Sequence, residues 1–475
     1  MLEKIAKAFR ASAPAAEYWS LRLVRDTTNI LTVRQNIVEA PTTYRDAGAM
    51  VTVVDGGGVG YGATCDLTPQ GLAAAFEAAR DWARATAAMA LIAPGDYPRL
   101  TGRGETHSHG EIPWEAWSLG QKVELLQEAC QGLKVHDDIS DWQASLLHTR
   151  NDTLLLSSDG GWIGQSVSRI QPRLGAVANR GADTQSRSFG EEIFLQGGLE
   201  HLERTGFLSR SEQVAAEALQ LLDAPPCPTG ATDLVLLPNQ MVLQVHESIG
   251  HPLEMDRILG DERNYAGTSF VTPEMFGSYR YGSSLLNITF DPGVPGETAS
   301  YRFDDDGSEA GKEFLIRDGI LLRPLGGAIS QARSGLPGVA NSRADGWNRP
   351  PIDRMANINL EPGGESLEQL IGAVERGVLM DTNRSWSIDD SRNKFQFGCE
   401  LGRLIEDGEV KGVVRDPGYR GISATFWRSL SGVGNSATLE VLGLGSCGKG
   451  EPNQIVSTGH AAPACRFTDV DLFGE

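Results

Sequence analysis

Residues 246–252, HESIGHP, restrict their local fold more tightly than any other stretch of the chain. They follow MVLQV (241–245), in which Val242 and Val245 lead on to Ile249 at the spacing of a buried helical face. Gly250 and Pro252 then loosen or end that helix, because glycine is a weak helix former and proline pushes the residue before it out of the α region. His246 and His251 are five residues apart. On an ideal α-helix, residue i+5 is turned by roughly 140° from residue i, so the two side chains diverge, whereas i and i+4 lie nearly above one another. One inserted residue removes the divergence if the helix carries a π-bulge, a device frequent at functional sites.

The familiar pattern H-E-x-x-H offers two imidazoles from one helical face to a metal ion, with a glutamate beside the first. Here it is one residue longer. In a metal hydrolase that glutamate, Glu247 in this chain, is not a ligand but holds a water molecule and takes its proton. Two histidines need a third partner, since a catalytic zinc usually keeps three protein ligands and one open position. Cys447, His460, Asp389, Asp390 and Glu254 are the candidates. Cys447 sits in GLGSCGKGEPNQ (443–454), where glycines permit close backbone approach and Lys449 would favour a thiolate. Two plainer readings stand beside these: a helix end with two satisfied histidines and a solvated glutamate, and a small residue in a glycine-rich turn.

A net charge of −20 argues against a nucleic-acid backbone as partner, which calls for a basic face. No apolar run approaches the length of a membrane helix. The N-terminus reads as a short amphipathic helix docked on a folded domain rather than a secretory signal. Six cysteines in 475 residues are too few for a disulfide scaffold. Cys65, Cys130, Cys227, Cys399 and Cys465 are expected as small buried hydrophobes in a reducing compartment, with the cytoplasm as default.

Alternation and β-branched residues predict strands at 20–25, 30–40 and 49–65, and again between 145 and 185. The glycines at 56, 57, 58, 60 and 62 miss the G-x-G-x-x-G spacing and predict a hairpin or bulged strand. Thr68 and Pro69 open a helix over 68–85, a Ser118–Gln121 capping box opens another, and a third spans 211–224. The proline-rich stretch APPCPTGATD (224–233) breaks the chain. Beyond it the pattern is mostly β, beginning with a strand at 233–238 and interrupted by a helix over 366–379 with a Ser366–Gln369 capping box. Asp304, Asp305 and Asp306 read as a turn. The expectation is an α+β protein: an N-terminal mixed domain over 1–225, then a β-rich C-terminal domain over 226–475 that carries the metal helix.

HESIGHPLEMD (246–256) together with SCGKGEPNQ (446–454) resembles the TldD branch of the TldD/PmbA family of cytoplasmic zinc metallopeptidases. The resemblance extends through 304–321, 354–364 and 393–410, and more weakly to VTVVDGGGVGYGATC (51–65). It implies one Zn2+ per chain held by His246, His251 and Cys447, with Glu247 as catalytic acid/base. It also implies a homodimer or a heterodimer with a PmbA-like subunit. PmbA-like members lack the histidine motif, so this chain would be the catalytic type. The implied substrates are unfolded peptides, bacteriocin precursors and antitoxins among them, gripped by strand addition. The tail STGHAAPACRF (457–467) follows no fixed family pattern, which leaves open whether His460 stabilises an oxyanion or only packs. Two other functions compete: a non-catalytic peptide-binding subunit with a closed structural metal, and a cysteine hydrolase with Cys447 as nucleophile.

Overall fold

The computed structural model describes residues 1–474. The N-terminal half is a nine-stranded sheet with its helices on one face. Three long strands, Tyr18–Arg34, Ile139–Ser157 and Trp162–Arg180, lie side by side and antiparallel. The segments expected as two strands at 20–25 and 30–40 are thus mostly one continuous strand. Its odd-numbered residues Leu21, Leu23, Leu31 and Val33 pack against the helices Leu2–Ser12, Pro69–Thr86, Leu119–Leu133 and Ser211–Asp223. The N-terminal helix docks through Ala6 and Phe9. The glycine run forms a hairpin turning at Gly56 and Gly57, both left-handed. A Cβ on Gly58, Gly60 or Gly62 would come within 2.0 Å of the carbonyl oxygens of Ala83, Ala79 and Ala75. Those glycines serve close strand–helix packing, not phosphate binding.

The other face of the sheet meets the second half. Arg22 donates to the carbonyls of Gly346 and Arg349 at 2.9 and 2.6 Å, and Trp347 lies over Gly48. In the second half the strand Gly230–Leu236 pairs in parallel with Arg376–Ile388 and antiparallel with Cys465–Gly474. With Lys394–Glu406 and Pro417–Ile422 between them, these strands close into a ring. One hydrophobic core joins Leu234, Leu236, Met380, Phe397, Tyr419 and Phe467 to Met241, Val242, Val245 and Ile249 of the segment that follows the first strand. The predicted α+β class holds.

Two expectations change. The helix foreseen over 366–379 keeps its capping box but spans only Leu367–Gly372. Gly372 is a weak helix former, and from Arg376 the chain gains partners on both sides, with Gly377 opposite Asp233 and Ile405. Cys65 is exposed, because it lies just past the strand Gly58–Thr64 in the loop before Thr68. The other four cysteines of that group are buried and free. Asp304 does form a turn, its Oδ1 accepting from the backbone of Asp306 and Ser308.

Arg187 ties the halves together. Its guanidinium donates to Glu217 at 2.7 Å in the first half, and to Asp381 at 2.7 Å and Glu400 at 3.0 Å in the second. Its side chain is only 6% exposed. Removing one partner of a buried ionic group leaves the others uncompensated. Arg187→Met is therefore expected to destabilise the protein by about 3–5 kcal/mol in urea unfolding; a loss below about 1 kcal/mol would show that the carboxylates find other partners.

Candidate metal centre

The strand Gly230–Leu236 feeds directly into a helix, Pro238–Val245, with proline at the first helical position, where no N–H is missed. At His246 the helix widens into a π turn over His246–Gly250, closed by the N–H of His251 on the carbonyl of His246. The extra residue anticipated in HESIGH is absorbed there. The two imidazole rings stand 4.8 Å apart and perpendicular, instead of diverging. The turn is held from outside. Tyr281 donates its hydroxyl to the carbonyl of Ser248, and Trp427 donates Nε1–H to Ser248 Oγ at 2.9 Å. Gly250 is pressed against Met355, whose sulfur would lie 1.9 Å from an added Cβ.

Cys447 arrives on a separate hairpin, Glu440–Lys449 with Gln454–Ala462. Leu442 pairs with His460 and Leu444 with Thr458, but Cys447, not Ser446, pairs with Val456. One residue is bulged out between Leu444 and Cys447. The bulge moves Cys447 onto the face that carries His460, which regular alternation would deny it.

Hydrogen bonding fixes the tautomers. A carbonyl only accepts, so the 2.9 Å contact with Ile358 places a proton on His460 Nδ1. Burial holds the His460 pKa well below its ordinary value. Its Nε2 is therefore a lone pair and takes the Nδ1–H of His246 at 2.9 Å. The carboxylate of Glu254 takes the Nδ1–H of His251, also at 2.9 Å. Burial works against a charged Glu254, but Lys449, His251 and Arg354 outweigh it and keep its pKa well below the usual range. Each imidazole is left with its Nε2 lone pair free. Burial, set partly against the nearby carboxylate of Glu247, pushes His246 down to about 4. Burial likewise lowers His251. Burial tends to raise the Cys447 thiol, yet His251 and Arg354 together hold it below its ordinary value.

The donor atoms of His246, His251 and Cys447 all lie within 4.8 Å of one another. Zinc ligand distances of about 2.0–2.3 Å put tetrahedral donors roughly 3.5 Å apart. The 3.5 Å between Cys447 Sγ and His251 Nε2 already matches, and small side-chain rotations close the rest. The residues fit a metal of the zinc type.

Of the other candidates, His460 and Glu254 orient the two imidazoles from behind, the arrangement by which outer partners fix ligand geometry. Asp389 accepts from the backbone of Asn393 and Lys394, organising the tip of a hairpin. Asp390 takes the N–H of Thr268 on its backbone carbonyl. Lys449 does not serve the thiol. It is fully buried and bonds to Asp256 at 2.6 Å, while Arg354 donates to the Cys447 carbonyl at 2.6 Å. Glu247 stands beside the cluster, 6% exposed, and receives Arg392 Nη1 on Oε2 at 2.6 Å.

Sequence reasoning missed the polar ladder behind the helix: Gln240 to Tyr419, Tyr419 to Gln244, and Gln244 to Ser248, at 3.0, 2.9 and 2.7 Å. Its signal was present as polar side chains at i, i+4 and i+8 on an otherwise apolar segment. Arg392, 145 residues from Glu247, had no local signal.

The chain matches the sequence models of three PmbA/TldA metallopeptidase domains in order: domain 1 over residues 19–83, the central domain over 112–222 and the C-terminal domain over 229–474. It belongs to this family, the TldD/PmbA metallopeptidases. It is 29% identical to a metalloprotease of Methanothermobacter thermautotrophicus over 355 residues, 74% of each chain. It is 28% identical to a zinc metalloprotease TldD homolog of Saccharolobus solfataricus over 194 residues, 40% of this chain and 41% of the relative. Its fold is that of a putative modulator of a DNA gyrase from Thermotoga maritima, with a TM-score of 0.77 over 100% of both chains at 18% identity.

If His460 orients His246 toward a metal, His460→Ala will lower zinc affinity about 10–100-fold, measured by competition with a chromophoric chelator. Unchanged affinity would reduce His460 to packing.

Proposed function

We propose that this metallopeptidase holds one zinc ion through His246, His251 and Cys447 and hydrolyses peptide bonds in unfolded or extended peptides, with Glu247 as general acid/base. The observation that carries this reading is the convergence of two imidazoles and the Cys447 sulfur, with donor atoms within 4.8 Å of one another, beside a carboxylate on the π turn. Among the described residues the cluster has three donors and no fourth, which favours an open coordination position over a closed structural site. The subunit that only binds peptides is correspondingly disfavoured. The His2Cys set and the name of the Saccharolobus relative both favour zinc.

When bound, zinc supplies a Lewis acid that polarises the scissile carbonyl and acidifies water. Glu247 takes a proton from the attacking water and returns it to the leaving amine nitrogen. Burial disfavours the charged forms of His246 and His251, and their outer partners hold the rings in place. Strand addition suits extended substrates with little sequence preference. We further propose pairing with a second copy or a PmbA-like subunit, a cytoplasmic setting that fits six free cysteines, and working units at 1–225 and 226–475.

One contact favours a second reading. Cys447 Sγ at 3.5 Å from His251 Nε2 is also the geometry of a thiolate–imidazole pair. The two separate cleanly. On the zinc reading, purified protein carries about one zinc per chain, His251→Ala loses it, and chelation abolishes cleavage. Glu247→Gln keeps the metal while kcat falls about 10²–10⁴-fold. Activity that survives chelation but not thiol alkylation would install the cysteine mechanism instead.

A further inference from the structure

We propose that Arg392 is a further catalytic residue, donating from its guanidinium to the scissile carbonyl oxygen as negative charge builds there; this rests on the peptidase reading above. Arg392 sits at the tip of the hairpin between the strands Arg376–Ile388 and Lys394–Glu406. Its Nη1 touches Glu247 at 2.6 Å, which sets the guanidinium beside the carboxylate that handles the attacking water. Its Nε is buried and, among the described residues, has no acceptor. A buried donor left unpaired costs free energy and calls for a reason. An oxygen that gains charge only during the reaction supplies one. The Arg392 side chain is 15% exposed, where Arg354 and Lys449 have no exposure at all. The neighbouring cations are not available: Arg354 and Lys449 are fully buried and engaged with the Cys447 carbonyl, Glu254 and Asp256.

The arginine is also held in place beforehand, which is what electrostatic stabilisation of a transition state requires. Its backbone is left-handed, at φ 60°. Its N–H bonds to the Asp389 carbonyl at 2.9 Å, and its own carbonyl accepts from Ser423 Oγ at 3.0 Å. The carbonyls of Asp390 and Ser391 take the N–H groups of Thr268 and Phe270 at 2.9 and 2.8 Å. In the reaction, the water oxygen bonds to the carbonyl carbon and the π pair moves onto the carbonyl oxygen. Arg392 donates hydrogen bonds to that oxygen and keeps its protons. The pair then returns as the C–N bond breaks, and the amine nitrogen receives the proton held by Glu247.

The rival role is indirect: Arg392 as a positioning residue that only steadies Glu247. A double-mutant cycle separates the two. Arg392→Asn removes the cation while asparagine tolerates the left-handed backbone, and Arg392→Lys keeps the charge without the planar fork. The probe is a phosphonamidate peptide, a stable mimic of the tetrahedral state, with affinity read by calorimetry and zinc content measured on each variant. For Arg392→Asn we expect unchanged zinc, a loss in kcat/KM of about 10²–10³-fold carried mainly by kcat, and a parallel loss of phosphonamidate affinity. Arg392→Lys should fall between it and wild type. The affinity loss must persist when Arg392→Asn is combined with Glu247→Gln. If the double variant binds the phosphonamidate as well as Glu247→Gln alone, Arg392 acts only through Glu247 and the proposal is overturned. A kcat/KM within about threefold of wild type overturns it equally. Wild-type protein that binds neither zinc nor the phosphonamidate would instead remove the peptidase reading, and this one with it.

Discussion

The Nδ1–H of His246 on the Nε2 of His460 is the contact on which the rest of this centre depends. An imidazole buried without water has two nitrogens to satisfy, and leaving either unpaired is costly. By giving its Nδ1 proton to a neutral histidine, His246 keeps its other nitrogen unprotonated and pointed at its neighbours. His251 reaches the same state through a carboxylate, Glu254. The two solutions are chemically different, and the difference has a structural source. Glu254 belongs to a buried network in which Arg257, Arg354 and Lys449 answer Glu254, Asp256 and Glu262. His460 belongs to the hairpin that carries Cys447 and is held by the carbonyl of Ile358 at 2.9 Å, with the Thr458 hydroxyl 3.4 Å from its Nε2. A charged partner on the first side and a neutral one on the second keep the total buried charge in hand.

The surrounding fold is arranged to make that burial tolerable. The closed ring of strands delivers the helix end into the core, and the polar ladder from Gln240 to Ser248 pairs buried side chains with one another, Gln240 Oε1 alone in it being left without a partner among the described residues. Each buried polar group that finds a partner escapes the cost of uncompensated desolvation. This explains why residues remote from the cluster are aimed at this segment, Tyr281 and Trp427 at the π turn and Tyr419 at the helix before it.

Much of this was legible in the sequence, and the limits are physical. Strands with clean alternation, the capped helix starts at Thr68, Ser118 and Ser366, and the α+β arrangement follow from local chemistry that one segment carries alone. The helix after Ser366 was drawn too long because its end is set by pairing with strands at 233 and 405, not by its own residues. The two histidines could be named from their motif, whereas Cys447 was one of five candidates for the third donor and was singled out by the family resemblance. Arg392 could not, since an arginine at a hairpin tip looks like any surface charge until the fold sets it against Glu247. The same holds for Lys449, whose nearness to Cys447 in sequence suggested a partnership that the strand geometry gives to Arg354.

Two single-residue irregularities meet at this centre. One lies in a helix, where the π turn adds a residue between the histidines. The other lies in a hairpin, where a bulge adds a residue before Cys447. Each shifts the phase of a regular repeat: the π turn keeps imidazoles five residues apart together, and the bulge turns Cys447 to the face of His460. A chain that lost the bulged residue could not regain the arrangement by exchanging side chains, because Cys447 would face away from His460 through the count of residues and not their kind. Any redesign that moves this cluster to another scaffold has to carry the π turn and the bulge along with the side chains.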